Sequence, residues 1–348
     1  MRILILGGTR FLGRHVVGEA LRRGHAVTTF TRGNLPVIAN RDVVPLAGNR
    51  DPDIAPGLAA LAVGRWDAVV DTSGYVPRIV DASASLLADR VGRYLFVSSV
   101  SVYADADRPG VDETGSVATL ADPATEDVVP NYGALKAACE AAVRTVYGEG
   151  ATIVRPGLIV GAGDGSDRFG YWVARFLCPH LLGERAAQAV VPAPLDRPIQ
   201  LIDARDLAVW ILDMLEQDNG GTYNAVCPAG QWTFADLIDA LVAEAIEPPQ
   251  PVGVTDDVLM AHNVTPWLGL PLWLPASEPD AAGFMSIDGA KAQAAGLAAR
   301  PLHETIRETA EWLVARTNAD AWQNVLSAES ERKILGAAAQ SDEPERGA

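Results

Sequence analysis

The feature that most constrains this chain lies at its start. Residues 3–6 (Ile-Leu-Ile-Leu) form a short, wholly apolar run that passes directly into the turn Gly7-Gly8-Thr9-Arg10-Phe11-Leu12-Gly13. Beyond the turn, Phe11, Leu12, Val16, Val17, Ala20 and Leu21 recur at helical spacing, so the order reads strand, turn, helix. Gly24 stops that helix, and residues 26–30 supply a second β-rich run. A strand with no polar alternation is buried on both faces, as in a parallel sheet, and parallel neighbours need a crossover helix.

The alternation continues along the chain. Residues 68–70, 94–97 and 151–154 read as further strands, and 79–87 and 132–146 as helices. Past residue 155 the pattern loosens through a glycine-rich stretch at 161–166 and a proline-rich one at 191–198, with a helix at 207–215 and a strand at 222–226. Thr233 and Asp236 form a helix-starting capping pair ahead of Leu237, Ile238 and Leu241. The expected fold class is therefore α/β: a Rossmann-like doubly wound parallel sheet with a smaller C-terminal substrate lobe. The expected division is a dinucleotide-binding domain over 1–160, joined by later elements at about 199–226, then a mainly substrate-binding lobe over 161–320. Residues 327–348 turn polar and lose periodicity, which predicts a flexible tail.

Composition narrows the partners. With 28 basic against 44 acidic residues the formal net charge is -16, which opposes a sequence-independent grip on phosphate backbones, so no nucleic-acid partner is expected. No apolar run reaches the roughly 18 residues of a membrane span, and residues 264–275 are broken by three prolines and a glycine. Three cysteines, Cys139, Cys178 and Cys227, make no C-x-x-C pair, and an odd count forms no disulfide framework. A cytoplasmic protein with free thiols is expected. The five histidines show no pair at metal-ligand spacing, so no metal is expected.

The glycine turn sits where backbone N–H groups and the positive end of a helix can meet a pyrophosphate, which points to a dinucleotide. Its middle glycine is replaced by Arg10, whose planar fork suits phosphate. At the end of the second strand stands Thr31-Arg32-Gly33, without the acidic residue that would accept the adenosine ribose of NAD. Arg32 suits a 2′-phosphate, the alternative being an exposed loop cation; NADP is thus expected over NAD. Asn49, Asp71, Thr72 and Ser73 follow further strand-like runs and are second-rank candidates for the adenine and ribose-phosphate region.

Tyr132 and Lys136 lie four residues apart on a helix, hence on one face and about 6 Å apart along its axis. A lysine there can lower the phenol's pKa and hold the nicotinamide ribose, making the tyrosine a proton donor near neutral pH. The strand before this helix ends in Ser98-Ser99-Val100-Ser101-Val102-Tyr103, at the same carboxyl edge as the glycine turn. Ser99 is the candidate for hydrogen-bonding a substrate oxygen, while Ser98 and Ser101 read as satisfied turn residues.

On these pieces the chain resembles an extended short-chain dehydrogenase/reductase of the NAD-dependent epimerase/dehydratase superfamily, over nearly its whole length. Arg155-Pro156-Gly157 through Gly161, Ile202 to Ala208, Ser286-Ile287-Asp288, Lys291, Gly296 and Trp312 add to the likeness. The Gly-Gly-Thr-Arg-Phe-Leu-Gly form is similar to an atypical branch that includes chloroplast stem-loop-binding proteins, some of which lack the tyrosine. The resemblance puts Ser99 at the catalytic Ser/Thr position. Val100 and Ser101 stand where sugar-nucleotide dehydratases carry Asp and Glu, which removes that subtype's acid and base. It also implies that Arg155, Arg168 and Arg197 lie in segments approaching the substrate, with surface ion pairing as the alternative, and that the alanine-rich helix of Tyr132 pairs in a homodimer. Trp267 and Trp273, in a proline-stiffened loop, are candidate walls for a flat or apolar ligand.

The expected function is an NADP(H)-dependent carbonyl reductase or alcohol dehydrogenase acting on a small organic substrate. Ser99 and Tyr132 would hold the oxygen and Lys136 would bind the ribose. The alternatives are an NAD-dependent nucleotide-sugar epimerase and, in another class, a non-enzymatic nucleotide sensor or RNA-binding protein.

Overall fold

Nine elements build the sheet side of the molecule up to residue 156: β1 (Arg2–Leu6), α1 (Phe11–Arg22), β2 (Ala26–Thr31), β3 (Val43–Ala47), β4 (Trp66–Asp71), α2 (Pro77–Leu87), β5 (Val91–Val97), α3 (Val128–Tyr147) and β6 (Thr152–Pro156). The structure is a computed structural model that describes residues 1–33, 42–183, 185–278, 281–316 and 322–341. Seven strands form one parallel sheet in the order Gly221–Ala225, β6, β5, β4, β1, β2, β3. Successive strand residues face opposite sides, and in β1 both sets are apolar. Ile3 and Ile5 join Val16 and Val17 of α1 and Leu207 and Ile211 of the helix Ala204–Glu216 in one core. Leu4 and Leu6 join Val80 and Ala84 of α2 and Cys139 and Val143 of α3 in the other.

The doubly wound expectation holds, and this order places the site. The chain leaves β1 toward β2 and β3 on one side, then returns to β4 on the other, so the carboxyl ends of β1 and β4 flank the switch point where ligands bind in such sheets. β3 was not legible in the sequence. It is the edge strand, three of its five residues are exposed, and Pro45 interrupts it, as edges tolerate.

Two units can be described separately. The first comprises Met1–Ile159, Leu201–Ala229 and Ser286–Ala299; the second, Val160–Gln200, Gly230–Met285 and Arg300 onward. Residues 286–299 thus pack with the sheet, although the sequence boundary left them in the second lobe. Within the second unit, Gln188–Ala193 pairs in parallel with Gln250–Thr255. The helix Phe234–Glu244 opens on the anticipated capping box, with Asp236 N donating to Thr233 Oγ1 at 3.2 Å and Thr233 N to Asp236 Oδ2 at 2.7 Å.

The expected tail is corrected: Ala328–Ser341 is a helix. Its polar composition hides an inward stripe of Ile334, Leu335 and Glu331. The Glu331 carboxylate is 1% exposed and accepts from Arg175 Nε at 3.0 Å and Arg185 Nη1 at 3.2 Å, which neutralises a charge that reads as solvent-facing in the sequence. Residues 342–348 lie outside the described residues.

Candidate active site

The glycine turn is tight for a physical reason. Gly8 has φ +96°, and a Cβ there would lie 2.9 Å from the Thr29 methyl; a Cβ on Gly13 would lie 2.7 Å from Gly8 N. The first turn of α1 is therefore pressed onto the loop, and only hydrogen atoms fit between. Arg10 replaces a glycine without strain because its φ is −131°, ordinary extended backbone. It precedes Phe11 as the N-cap of α1, makes no side-chain cap bond, and is exposed. First-turn N–H groups of a helix have no intrahelical partner and attract anions. Thr9 and Phe11 are half-buried, Leu12 is buried in the core under the turn, and Arg32 is exposed one residue past β2. A loop and helix start of this kind could hold the diphosphate of a dinucleotide, and Arg10, Arg14 and Arg32 are exposed cations in and near it.

Across the switch point, Thr72 Oγ1 and Ser73 Oγ each donate to Leu6 O at 3.0 Å, stitching the ends of β4 and β1 together. Asn49 Oδ1 accepts from Asp51 N at 3.0 Å and shapes the turn after β3. Asp71 is corrected as a ligand contact. It is fully buried, receives Arg50 Nη2 at 2.8 Å and Tyr94 Oη at 2.9 Å, and so anchors the loop from inside. Arg50, its partner, carried no signal in the sequence because the pair closes only in the folded sheet.

The helical register of α3 breaks at Asn131, with φ −116° and ψ 18°, and regular helix resumes at Tyr132. Lys136, one turn on, is 3% exposed. Its Nζ donates to Gly74 O and Val97 O, both at 2.7 Å, and stands 4.3 Å from the Phe96 ring centroid and 5.3 Å from that of Tyr75. An ammonium has three donors, of which the two carbonyls take two. Burial pushes the Lys136 pKa down to about 8. Tyr132 is half-buried, with its ring centroid 6.5 Å from that of Tyr75.

Ser99 is brought to this helix by a residue the sequence reading passed over. A Cβ on Gly133 would collide with the Ser101 carbonyl oxygen, so the short turn Val100–Val102 packs directly on α3 beside Tyr132. Ser99 Oγ accepts from Ser101 N at 3.1 Å and lies 3.1 Å from Ser101 Oγ, which fixes the turn. Ser98 departs from expectation: its hydroxyl is buried without a hydrogen-bond partner.

The other candidates separate by what their donors already do. Arg155 is corrected: it is buried in the first unit, paired with Glu140 at 2.9 and 2.7 Å and donating to Tyr103 Oη at 3.0 Å. Arg197 is corrected too. In the second unit it donates to Pro194 O, Leu274 O and Ala193 O at 2.7–3.0 Å and pairs with Asp256 at 3.0 Å. Trp273 is fully buried, with Nε1 donating to the same Asp256 oxygen at 2.8 Å, so it staples the proline-rich loop instead of walling a pocket. Arg168 and Trp267 remain together: the guanidinium is 5.5 Å from the indole centroid, and Trp267 meets Phe284 edge-on at 5.3 Å. Among the described residues, no group of three or more His, Cys, Asp or Glu converges to hold a metal, and no helix is long and apolar enough to cross a membrane.

Comparison with known proteins agrees with this architecture. The chain is 31% identical over 120 residues to the chloroplast stem-loop binding protein of 41 kDa b of Arabidopsis thaliana, covering 30% of this chain and 31% of the relative. It is 29% identical over 188 residues to 2-alkyl-3-oxoalkanoate reductase of Stenotrophomonas maltophilia (strain K279a), covering 47% of this chain and 52% of that one. These alignments thus span a third to a half of the curated relatives' lengths. UDP-glucuronic acid 4-epimerase from Bacillus cereus, solved in complex with NAD, superposes with a TM-score of 0.62 at 14% identity, covering 90% of this chain and 99% of that structure. The sequence pattern of the NAD-dependent epimerase/dehydratase family matches residues 3–226, well over half of the chain. The protein accordingly belongs to the NAD-dependent epimerase/dehydratase family.

Proposed function

We propose that the protein is an NADP(H)-dependent carbonyl reductase, or alcohol dehydrogenase in reverse, that uses Ser99, Tyr132 and Lys136 on a small organic substrate. The observation that carries this reading is the caging of the Lys136 ammonium by the Gly74 and Val97 carbonyls, one helical turn from Tyr132. Gly7 to Gly13, with Arg10, Arg32, Thr72 and Ser73, would hold the dinucleotide. A nicotinamide bound there would supply the hydride for a carbonyl carbon. Ser99 and Tyr132 hydrogen-bond the oxygen, and Tyr132 donates its phenolic proton as charge develops. Lys136, fixed by two carbonyls, would bind the cofactor ribose and lend its charge to the phenol. The reductase relative supports a carbonyl substrate, and the two exposed arginines at the cradle support a 2′-phosphate.

A nucleotide-sugar epimerase is the second reading, favoured by the NAD-bound epimerase whose fold the chain shares. The stem-loop-binding relative adds little, because 44 acidic residues against 28 basic ones repel RNA. The three cysteines are free and buried, which suits a cytoplasmic setting. The outer face of α3, with Ala141 and Thr145 exposed, supports a homodimer, to be checked by sedimentation.

Mass spectrometry of ligand released from freshly purified protein separates the readings: tightly retained NAD points to the epimerase, and empty or NADP-loaded protein to the reductase. Tyr132→Phe is expected to keep cofactor affinity while cutting turnover by about 10²–10⁴-fold. Near-normal turnover would remove Tyr132 from its role. Titration is expected to show tighter NADP(H) than NAD(H) binding and Arg32→Glu to erase the difference; equal affinities in the parent protein would end the NADP assignment.

A further inference from the structure

Tyr75 has no part in the scheme above, yet it stands at its centre. Among the described residues it is the one aromatic side chain in the set of exposed large apolar residues, 46% accessible. A single exposed ring is ordinary on a protein surface; what sets this one apart is its place beside the Tyr132 ring and the Lys136 ammonium. Its backbone is held on both sides: Gly74 gives its carbonyl to Lys136 at 2.7 Å, and Val76 is buried at the N-cap of α2. The ring is thus positioned before any ligand arrives, 6.5 Å from the Tyr132 ring and tilted 41° to it. Burial, with the nearby Asp71 charge adding to it, pushes the Tyr75 phenol pKa up.

We propose that Tyr75 is a substrate-contacting, specificity-determining residue, and that its exposed ring selects carbonyl compounds with a flat apolar substituent, such as an aryl group, next to the reacting carbon. This rests on the carbonyl-reductase reading. Geometry decides how the group lies. Insertion between two rings needs about 7 Å, two contact distances of about 3.5 Å each, in a parallel arrangement. The separation of 6.5 Å with a 41° tilt closes that slot. The substituent therefore lies across the exposed side of Tyr75, which leaves the carbonyl oxygen toward Tyr132. A small dialkyl ketone offers no flat face and gains nothing from the ring.

The test is binding to the full chain loaded with NADP⁺, which cannot reduce a ketone, read by saturation-transfer NMR with acetophenone and 2-butanone. The parent protein is expected to bind acetophenone more tightly. Tyr75→Ala is expected to weaken acetophenone by about 5- to 10-fold while 2-butanone stays within about two-fold, and Tyr75→Phe to keep the preference. The proposal is overturned if acetophenone does not bind the parent protein, if Tyr75→Ala leaves it unchanged, or if both ketones weaken together. If the binding pattern holds but NADPH-loaded protein reduces neither ketone, the reductase reading fails while the assignment of Tyr75 to the binding surface stands.

Discussion

Gly133→Ala sets two physical effects against each other and so tests how the site is assembled. On helix propensity alone the change stabilises α3 by about 1 kcal/mol, because glycine is a poor interior helix residue. In the folded chain the new Cβ would meet the Ser101 carbonyl oxygen, with the Ser101 carbonyl carbon at 3.0 Å behind it. Ordinary van der Waals spacing is restored only if the turn Val100–Val102 retreats by on the order of 1 Å, at an overpacking cost of about 1–3 kcal/mol. The net stability change is then about 0–2 kcal/mol, a modest fall in Tm. Catalysis suffers more, because Ser99 moves with the turn while Tyr132 stays with the helix. A displacement of about 1 Å in a reacting constellation costs about 100-fold in rate, equivalent to about 2.7 kcal/mol of barrier. The glycine cradle at Gly7 to Gly13 lies on other elements, so cofactor affinity measured by fluorescence titration stays within about two-fold. A Gly133→Ala protein that melts higher and turns over normally would refute the close-packed assembly of Ser99 with Tyr132.

Two further outcomes follow from buried charge. Lys136 has its folded pKa pushed down by burial from 10.5 to about 8, so the unfolded chain binds more protons between those values. Its contribution to stability is full above pH 10.5 and lost as pH falls through 8, a swing of about 3 kcal/mol. Urea unfolding of the parent protein relative to Lys136→Met should therefore improve across that window, and turnover that needs the charged amine should fall above about pH 8; a flat profile to pH 10 would contradict both. Glu331→Ala strands Arg175 and Arg185 in the second unit and is expected to lower unfolding stability by about 3–5 kcal/mol, whereas a loss under 1 kcal/mol would make Ala328–Ser341 an ornament on that unit.

What the sequence made legible is what short-range pattern encodes. The apolar runs at β1, β4, β5 and β6, the glycine turn, and the four-residue spacing of Tyr132 and Lys136 all carry their meaning within ten residues, and each maps onto the predicted type of element. The losses lie where a residue's role is set by its surroundings in the fold. β3 is an exposed edge with a proline, Ala328–Ser341 buries a carboxylate, and Asp71, Arg155 and Arg197 look like ligand contacts until their partners are seen. For the charged residues the deciding neighbour is distant in sequence: Arg50 for Asp71, Asp256 for Arg197. Glu140 is 15 residues from Arg155, outside any local pattern. Gly133 and Tyr75 were missed for the complementary reason, since a lone glycine inside a helix and a lone tyrosine after a strand have no periodicity to announce them.

The spent arginines bear on the choice between reductase and epimerase. A nucleotide sugar brings a diphosphate that a site must neutralise, and three arginines stood as candidates for that work. Arg155 gives its fork to Glu140, and Arg197 divides its donors among three carbonyls and Asp256, so neither can turn to a ligand without leaving a buried carboxylate or carbonyls unpaired. Arg168 keeps company with Trp267, an arrangement equally suited to an apolar or aromatic group. The exposed arginines singled out at the start, Arg10 and Arg32, stand in the glycine turn and one residue past β2, the places the proposed reading assigns to an extra phosphate on the cofactor. Two of the three arginines considered for a diphosphate-bearing substrate are thus committed to internal partners, and the proposed NADP reading rests on the two arginines at the glycine turn and the end of β2. Both observations weigh for a phosphorylated cofactor and a substrate without phosphate.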